Sequence, residues 1–179
     1  VHYPTVNKDG RVVTTSVTNF DIHDIARAGR TYGVARYYIV TPVELQQQFT
    51  RRIITYWMEG EGALYNPTRK EALTDTQVVG DLAEAGEAFE RDFGRPPVWV
   101  ATSAKRYANT LSCAELRRRL EASDEPHCLI FGTGWGLHPQ IIEESDYVLE
   151  PIVGPTDWNH LSVRSAVSIC LDRLRGKRD

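Results

Sequence analysis

The residue pattern of this 179-residue chain specifies an α/β architecture, a mostly parallel sheet with helices on both faces. Three observations carry that expectation. Five short β-rich runs alternate with stretches of helical period, a single tight hairpin precedes them, and the run Cys128–Phe131 is continuously apolar, as in a strand covered on both sides.

The elements follow in chain order. Asp9-Gly10 is a tight-turn signal between Tyr3–Val6 and Arg11–Thr15, which gives the hairpin. Thr18 or Asn19 then caps a helix with Ile22, Ile25, Ala26 and Gly29 on one face, and Gly33 ends it. Residues 37–40 form a strand, and Val43–Met58 a helix with Phe49, Ile53 and Trp57 on one stripe. Glu59–Asp75 reads as a long loop with at most a turn of helix near Arg69–Leu73, either a solvated connector or a contact for an anionic partner. Gln77–Val79 is a weak strand and Asp81–Phe93 a helix with an acidic entry. Pro97–Ala101 is a strand, Ser112–Glu121 a helix capped at Ser112, Cys128–Phe131 a strand and His138–Ser145 a short helix. Tyr147–Ile152 makes the last strand, and Leu161–Leu174 the last helix, with Val163, Val167, Cys170 and Leu174 on one side. No repeat or Pro/Gly/Ser-rich linker interrupts 1–179, so one domain is expected.

Composition excludes several functions. A net charge of −3, spread evenly over both halves, argues against a protein that coats nucleic acid through positive charge alone. No apolar run approaches the roughly 20 residues that span a bilayer. The opening Val1-His2-Tyr3-Pro4 has no charged region followed by an apolar one, so no secretory leader is expected. Cys113, Cys128 and Cys170 fit neither a zinc spacing nor a disulfide framework, which points to free thiols in a reducing cytoplasm. No HExxH, GxSxG or CxxC occurs, and no metal is implied.

Chemistry concentrates in three segments that leave strand ends, where ligands sit in such folds. Leu129–Leu137 runs a strand into Gly132, Thr133, Gly134, Trp135 and Gly136; alternate glycines admit positive φ and close approach to a flat ligand. The spacing is neither a dinucleotide fingerprint nor a phosphate loop, so a plain turn stays open. Glu150–Ser165 crowds Asp157, Trp158, Asn159, His160 and Arg164 before the last helix, where Asn159 or Ser162 serves as cap. Thr102-Ser103-Ala104 leaves another strand. On the first helix His23, Arg27 and Arg30 share a polar face. Asp24 is placed to pair with Arg27, so that face is either solvated and salt-bridged or a phosphate-positioning surface.

Thr15–Arg27, Arg30–Val34, Phe131–Leu137 and Asn159–Ser165 together resemble the SPOUT-class, trefoil-knotted RNA methyltransferases, specifically a bacterial group of S-adenosylmethionine-dependent RNA methyltransferases, over nearly the whole chain. The resemblance implies a C-terminal trefoil knot with Leu161–Leu174 threaded through a loop. It also implies a homodimer, and S-adenosyl-L-methionine held bent by three loops, mostly through backbone groups. Carried over by position, the cofactor residues are Thr102, Ser103, Ala104, Gly132, Thr133, Gly134, Trp135, Gly136, Leu137, Ile152, Gly154, His160, Leu161, Ser162 and Ser165. Arg27 takes the place of the arginine that spoU-type enzymes set near the acceptor nucleotide, and Tyr32-Gly33-Val34 is similar to their Phe-Gly-Val. Gly134 or Trp135 stands where a glutamate is common, and Ser162 where an asparagine is common, which leaves the acceptor atom open.

Methyl transfer from a sulfonium is an in-line displacement, so alignment and proton acceptance are the protein's tasks. Asp157, His160 or His23 is the candidate base; Arg27 and Arg164 are candidates to hold phosphate or negative charge, with Arg27 reaching the partner subunit's site. The expected function is methylation of tRNA or rRNA, on base or ribose. The alternative is a knotted module that binds S-adenosylmethionine or a nucleotide without turnover.

Overall fold

The computed structural model of the chain describes residues 1–178. The hairpin forms as β1 (Thr5–Val6) and β2 (Val12–Val13), with Thr5 opposite Val13, around Gly10 at φ 77°. Helix α1 (Asn19–Thr31) starts at a complete capping box: the Thr18 side chain accepts from Asp21 N, and the Asp21 carboxylate accepts from Thr18 N. It is followed by β3 (Tyr37–Val40) and α2 (Glu44–Met58).

The segment expected as a long loop is instead two short helices, α3 (Glu61–Tyr65) and α4 (Pro67–Leu73). Proline at the first helical position and the Asn66 side chain accepting from Arg69 N start the second of these. Its Leu73 is buried against Ile22, Ile39 and Val78, which supplies what five or seven residues of local propensity lack. Phe49, expected on the buried stripe of α2, is 56% exposed; Thr50 is the buried residue there, with Ile53, Ile54 and Trp57 partly packed.

The remaining elements are β4 (Thr76–Val79), α5 (Leu82–Phe93), β5 (Val98–Thr102), β6 (Thr110–Leu111), α6 (Cys113–Ala122), β7 (His127–Ile130), α7 (Pro139–Glu144), β8 (Tyr147–Leu149) and α8 (Val163–Arg175). Strand β6 was not expected, since two residues show no periodicity; it forms because it pairs with β8. The last strand is shorter than expected, ending at Leu149 just ahead of Pro151.

Two parallel half-sheets result, β3-β4 and β6-β8-β5-β7. On one face α6 and α8 bury Leu116, Cys170 and Leu174 against Val100 and Leu149, while α1 and α4 cover Ile39 and Val78. On the other, α7 covers Ala101 and Val148, and α5 covers Val40 and Val79. Each fully buried Leu or Ile contributes roughly 1.5–3 kcal/mol. The first residues join the half-sheets: the Val1 amino group donates to Phe131 O at 2.7 Å and His2 N to Val40 O at 2.9 Å.

That placement makes His2 a pH-sensitive part of the core. It is 4% exposed, with Nδ1 3.1 Å from Thr15 Oγ1, and burial, aided by the neighbouring ammonium, pulls its pKa down to about 4. An unfolded imidazole titrates near 6.5. Between those values the unfolded chain takes up a proton that the folded chain refuses, so stability is whole above pH 6.5 and declines toward pH 4. The expected loss has a ceiling of about 3 kcal/mol. Urea unfolding at pH 7 and pH 4.5 should show this decline in the wild type and a shallower one in His2→Asn; identical slopes would clear His2 of the effect.

Candidate functional site

Parallel pairing sets the site. β7, β5 and β8 are adjacent and point the same way, so the loops that leave them emerge at one edge of the sheet. Cross-bonds then tie those loops together. Thr102 Oγ1, at the end of β5, donates to Ile130 O of β7 at 2.9 Å. Asn159 Nδ2, in the loop after β8, donates to Ala104 O in the loop after β5 at 3.2 Å. The His160 ring lies edge-on to Trp135 of the glycine loop (5.7 Å between centroids) and to Trp158 (5.2 Å). Contacts among Ala104, Trp135, Trp158, Asn159 and His160 thus bring the three loops that carry Thr102–Ala104, Gly132–Leu137 and Ile152–Ser165 together at one edge of the sheet.

Within this cluster many polar side chains serve the loops themselves. Ser103 Oγ accepts from Lys105 N, and Ser162 caps α8 by accepting from Ser165 N, with the two serine hydroxyls 2.9 Å apart. Ile152 packs into the core beneath, whereas Gly154, Asp157 and Leu161 are exposed above it. What remains toward solvent is backbone and aromatic surface: Trp135 is 62% and Trp158 75% exposed.

The glycine loop is shaped by the hairpin beside it. Trp135 N donates to Val6 O (3.1 Å), Val6 N to Gly136 O (3.0 Å) and Thr133 N to Val1 O (3.3 Å), and the Thr15 and Thr133 hydroxyls bond to one another. Gly134 (φ 63°) and Gly136 (φ 113°) hold conformations that side chains disfavour. At Gly132 the constraint is steric, because a Cβ would stand 2.6 Å from Leu137 N.

The helix-borne candidates divide. Asp24, expected beside Arg27, is instead 3.9 Å from Arg164 Nε, and the Arg164 guanidinium also covers the Phe20 ring at 5.1 Å. Phe20, Asp24 and Arg27 lie at i, i+4 and i+7 on α1, so exposed Arg27 shares the face that holds Arg164. His23 faces away from this group: its ring is edge-on to Trp57 at 5.7 Å, and burial together with Arg69 keeps its pKa below the usual imidazole value. Arg30 bonds Glu71 at 2.5 Å, which makes that end of the face a salt-bridged surface. Sequence reasoning missed Phe20 and Thr15, which are positioned only by tertiary contacts; an exposed phenylalanine in a first helical turn was the available signal.

A cavity of about 580 Å³ is elsewhere. It lies between β3 and β7, lined by Tyr38, Val40, Leu129, Phe89 and Leu171.

Two substitutions separate constraint from openness in the loops. Gly132→Ala should destabilise by roughly 2–4 kcal/mol in urea unfolding, since the loop must open to admit a methyl group. Gly154→Ala meets nothing within 4 Å and should stay within about 0.5 kcal/mol of wild type. Equal midpoints for the two would show that the loop does not need its fold at Gly132.

Comparison with known proteins gives this architecture a family. A family model described as SAM-dependent RNA methyltransferase matches residues 1–176. A protein from Aquifex aeolicus (strain VF5), described only as uncharacterized, is 45% identical over 174 residues, covering 97% of this chain and 85% of its own. A "tRNA (guanine-N(1)-)-methyltransferase" from Nitratidesulfovibrio vulgaris is 43% identical over 176 residues, 98% of this chain; the match spans only 41% of that protein's length. Among solved structures, a "probable methylase family protein" from Haemophilus influenzae Rd KW20 superposes with a TM-score of 0.60 at 20% identity, over 90% of this chain and 62% of that one, which shows a shared fold. Matched by its model over nearly its whole length, the chain belongs to the SAM-dependent RNA methyltransferase family.

Proposed function

We propose that this chain transfers a methyl group from S-adenosylmethionine to RNA as a homodimer, with the three-loop cleft holding the donor and the Arg27–Arg164 side receiving the nucleic acid. One observation carries the reading: Asn159–Ala104 and the Trp135–His160–Trp158 cluster draw the loops after β5, β7 and β8 into a single cleft. Its residues fit the cofactor. Exposed Trp135, Val153 and Leu161 offer apolar and aromatic surface, and the backbone at Gly136 and Gly154 is open, a Cβ at either meeting nothing within 4 Å. The bound cofactor supplies an electrophilic methyl on a sulfonium. Thr102–Ala104, Gly132–Leu137 and Ile152–Ser165 fix its place through main-chain groups.

The rest falls to charged side chains. Arg164, steadied by Asp24 and Phe20, and Arg27 on the same face grip phosphate, an attraction that requires no overall positive charge. His160 is the base we favour, because it is the titratable ring inside the loop cluster, and exposed Asp157 on the same loop is the alternative. His23, turned to Trp57, takes no part in this arrangement. Exposed Phe20, Val153 and Leu161 surround the mouth and suit burial by a second subunit, across which Arg27 would reach the partner's cleft. A threaded α8 also belongs to the reading. Asn159, in the segment entering α8, bonds the loop after β5, and Cys170 and Leu174 of α8 pack beside Leu116 of α6.

tRNA is the first substrate to try, given the name of the Nitratidesulfovibrio relative, of which this chain matches about two fifths (41%). With methyl-tritiated S-adenosylmethionine, label should pass to total RNA from a strain lacking the gene. Arg27→Ala should cut transfer by about 100-fold or more while leaving the calorimetric affinity for S-adenosylmethionine within a factor of about two. Cofactor binding without transfer to tRNA or rRNA would instead make the chain a binding module, and full transfer by Arg27→Ala would remove that residue from the site.

A further inference from the structure

The arc 150–159, which opens the loop after β8, is tied to the loop after β5 at both of its ends. At the far end Asn159 Nδ2 donates to Ala104 O at 3.2 Å. At the near end the Glu150 carboxylate joins two elements: its Oε1 accepts from Cys113 N, the first amide of α6, at 2.8 Å, and its Oε2 stands 4.0 Å from Arg106. The Glu150 amide donates to Leu111 O at 2.9 Å, which extends the β6–β8 ladder by one rung. Ala104 and Arg106 are next but one in sequence, so both anchors of the arc land on one short span of the neighbouring loop.

Part of this work is local. Ser112 caps α6 by accepting from Glu115 N, which leaves the amide of buried Cys113 among the first-turn donors still in need of a partner. Glu150 supplies it. Burial, and then the charge of Glu150, raise the pKa of the Cys113 thiol, which stays neutral beside the carboxylate. The ion pair with Arg106 is not explained by capping. With the Arg106 side chain 65% exposed it is a weak contact alone, but it joins a carboxylate whose position the amide bond and the strand rung have already set. Between the anchors Pro151 is buried and Ile152 packs into the core, while residues 153–158 are exposed. Held at both ends by the same neighbour, that exposed stretch keeps one curvature where a free loop would sample many.

We propose that Glu150 is a positioning residue for the methyl donor, clamping the near end of the arc as Asn159 clamps the far end, so that the main chain of 152–158 is set against the loop after β5 before the donor arrives. The proposal rests on the reading of the three loops as the donor cleft. It adds a role for Glu150 and its counter-ion Arg106, both acting through the backbone of the arc rather than on the donor. Affinity follows from the clamp because a loop already in its bound shape loses less freedom on binding.

The test sets donor affinity by calorimetry beside backbone order parameters and transfer kinetics, all in the 179-residue chain. Glu150→Ala should weaken affinity for S-adenosylmethionine about tenfold and raise its KM to match, with a smaller change in kcat. Order parameters at Val153, Gly154 and Asp157 should fall in the unliganded variant, while those of Val100 and Val148 in the core hold. Glu150→Gln keeps an acceptor for Cys113 N and loses only the ion pair, so it should recover most of the affinity and match Arg106→Ala, at a loss of about threefold. Joining Arg106→Ala to Glu150→Ala should add nothing to the loss from Glu150→Ala alone, since the two share one interaction. Wild-type affinity in Glu150→Ala overturns the proposal, and a lowered thermal midpoint beside it makes the residue a cap of α6 alone. Should Glu150→Ala fail to fold, Arg106→Ala decides, and wild-type affinity there overturns the clamp. A wild type that binds no S-adenosylmethionine instead sinks the donor-cleft reading, and this role with it.

Discussion

Parallel pairing of β5 with both β7 and β8 is the constraint on which the cluster of three loops depends. Parallel strands return through helices, so every loop that leaves a carboxyl end emerges at the same edge, whatever its sequence. Three adjacent strands thus deliver three loops to one place before any loop residue makes a contact. The register matters as well as the direction. Ala101 opposite Ile130 and Val148 keeps the strand ends level, which lets Thr102 reach Ile130 O and Asn159 reach Ala104 O. Direct pairing makes the loops converge, and those two side chains lock them.

The glycines of the loop after β7 serve the scaffold first. Gly132 is needed because the chain doubles back so tightly that Leu137 N occupies the place of a side chain, and the hairpin then takes the amide of Trp135 and the carbonyl of Gly136. The irregular glycine spacing follows the docking of Val6: Trp135 N donates to Val6 O and Val6 N to Gly136 O, which leaves the opposite side of the same backbone unbonded to the hairpin.

Element order, helix caps and the placement of the three loops were legible because each rests on local signals. The Asp9-Gly10 turn, the Thr18 and Ser112 caps and the apolar run at Cys128 act within a few residues. The α3 and α4 helices and strand β6 were not legible, since each is too short to stand on propensity and exists through partners distant in sequence. Phe49 was misplaced for a related reason: helical spacing identifies a stripe but not its edge, and Thr50 sits closer to the centre of the buried face. At the site, spacing on α1 placed His23, Arg27 and Arg30 on one polar face without showing that their neighbours would divide it. Trp57 and Arg69 take His23, Glu71 takes Arg30, and Phe20 and Asp24 turn the rest toward Arg164. The family resemblance raised Arg27 above that ambiguity, where periodicity alone had left it open.

The two half-sheets and the glycine loop meet at Val1 and His2. Val1 O accepts from both the amide and the hydroxyl of Thr133, and His2 bonds Thr15 through its backbone carbonyl and its ring, so four bonds radiate from two residues into the glycine loop and the hairpin that clamps it. The apolar space of about 580 Å³ lies between β3 and β7, while the three loops meet around backbone, two tryptophans and a histidine. A ligand recognised by main-chain groups needs loops held in fixed register more than it needs a deep pocket, and the bonds around Val1 and His2 supply that register from the far side of the loop.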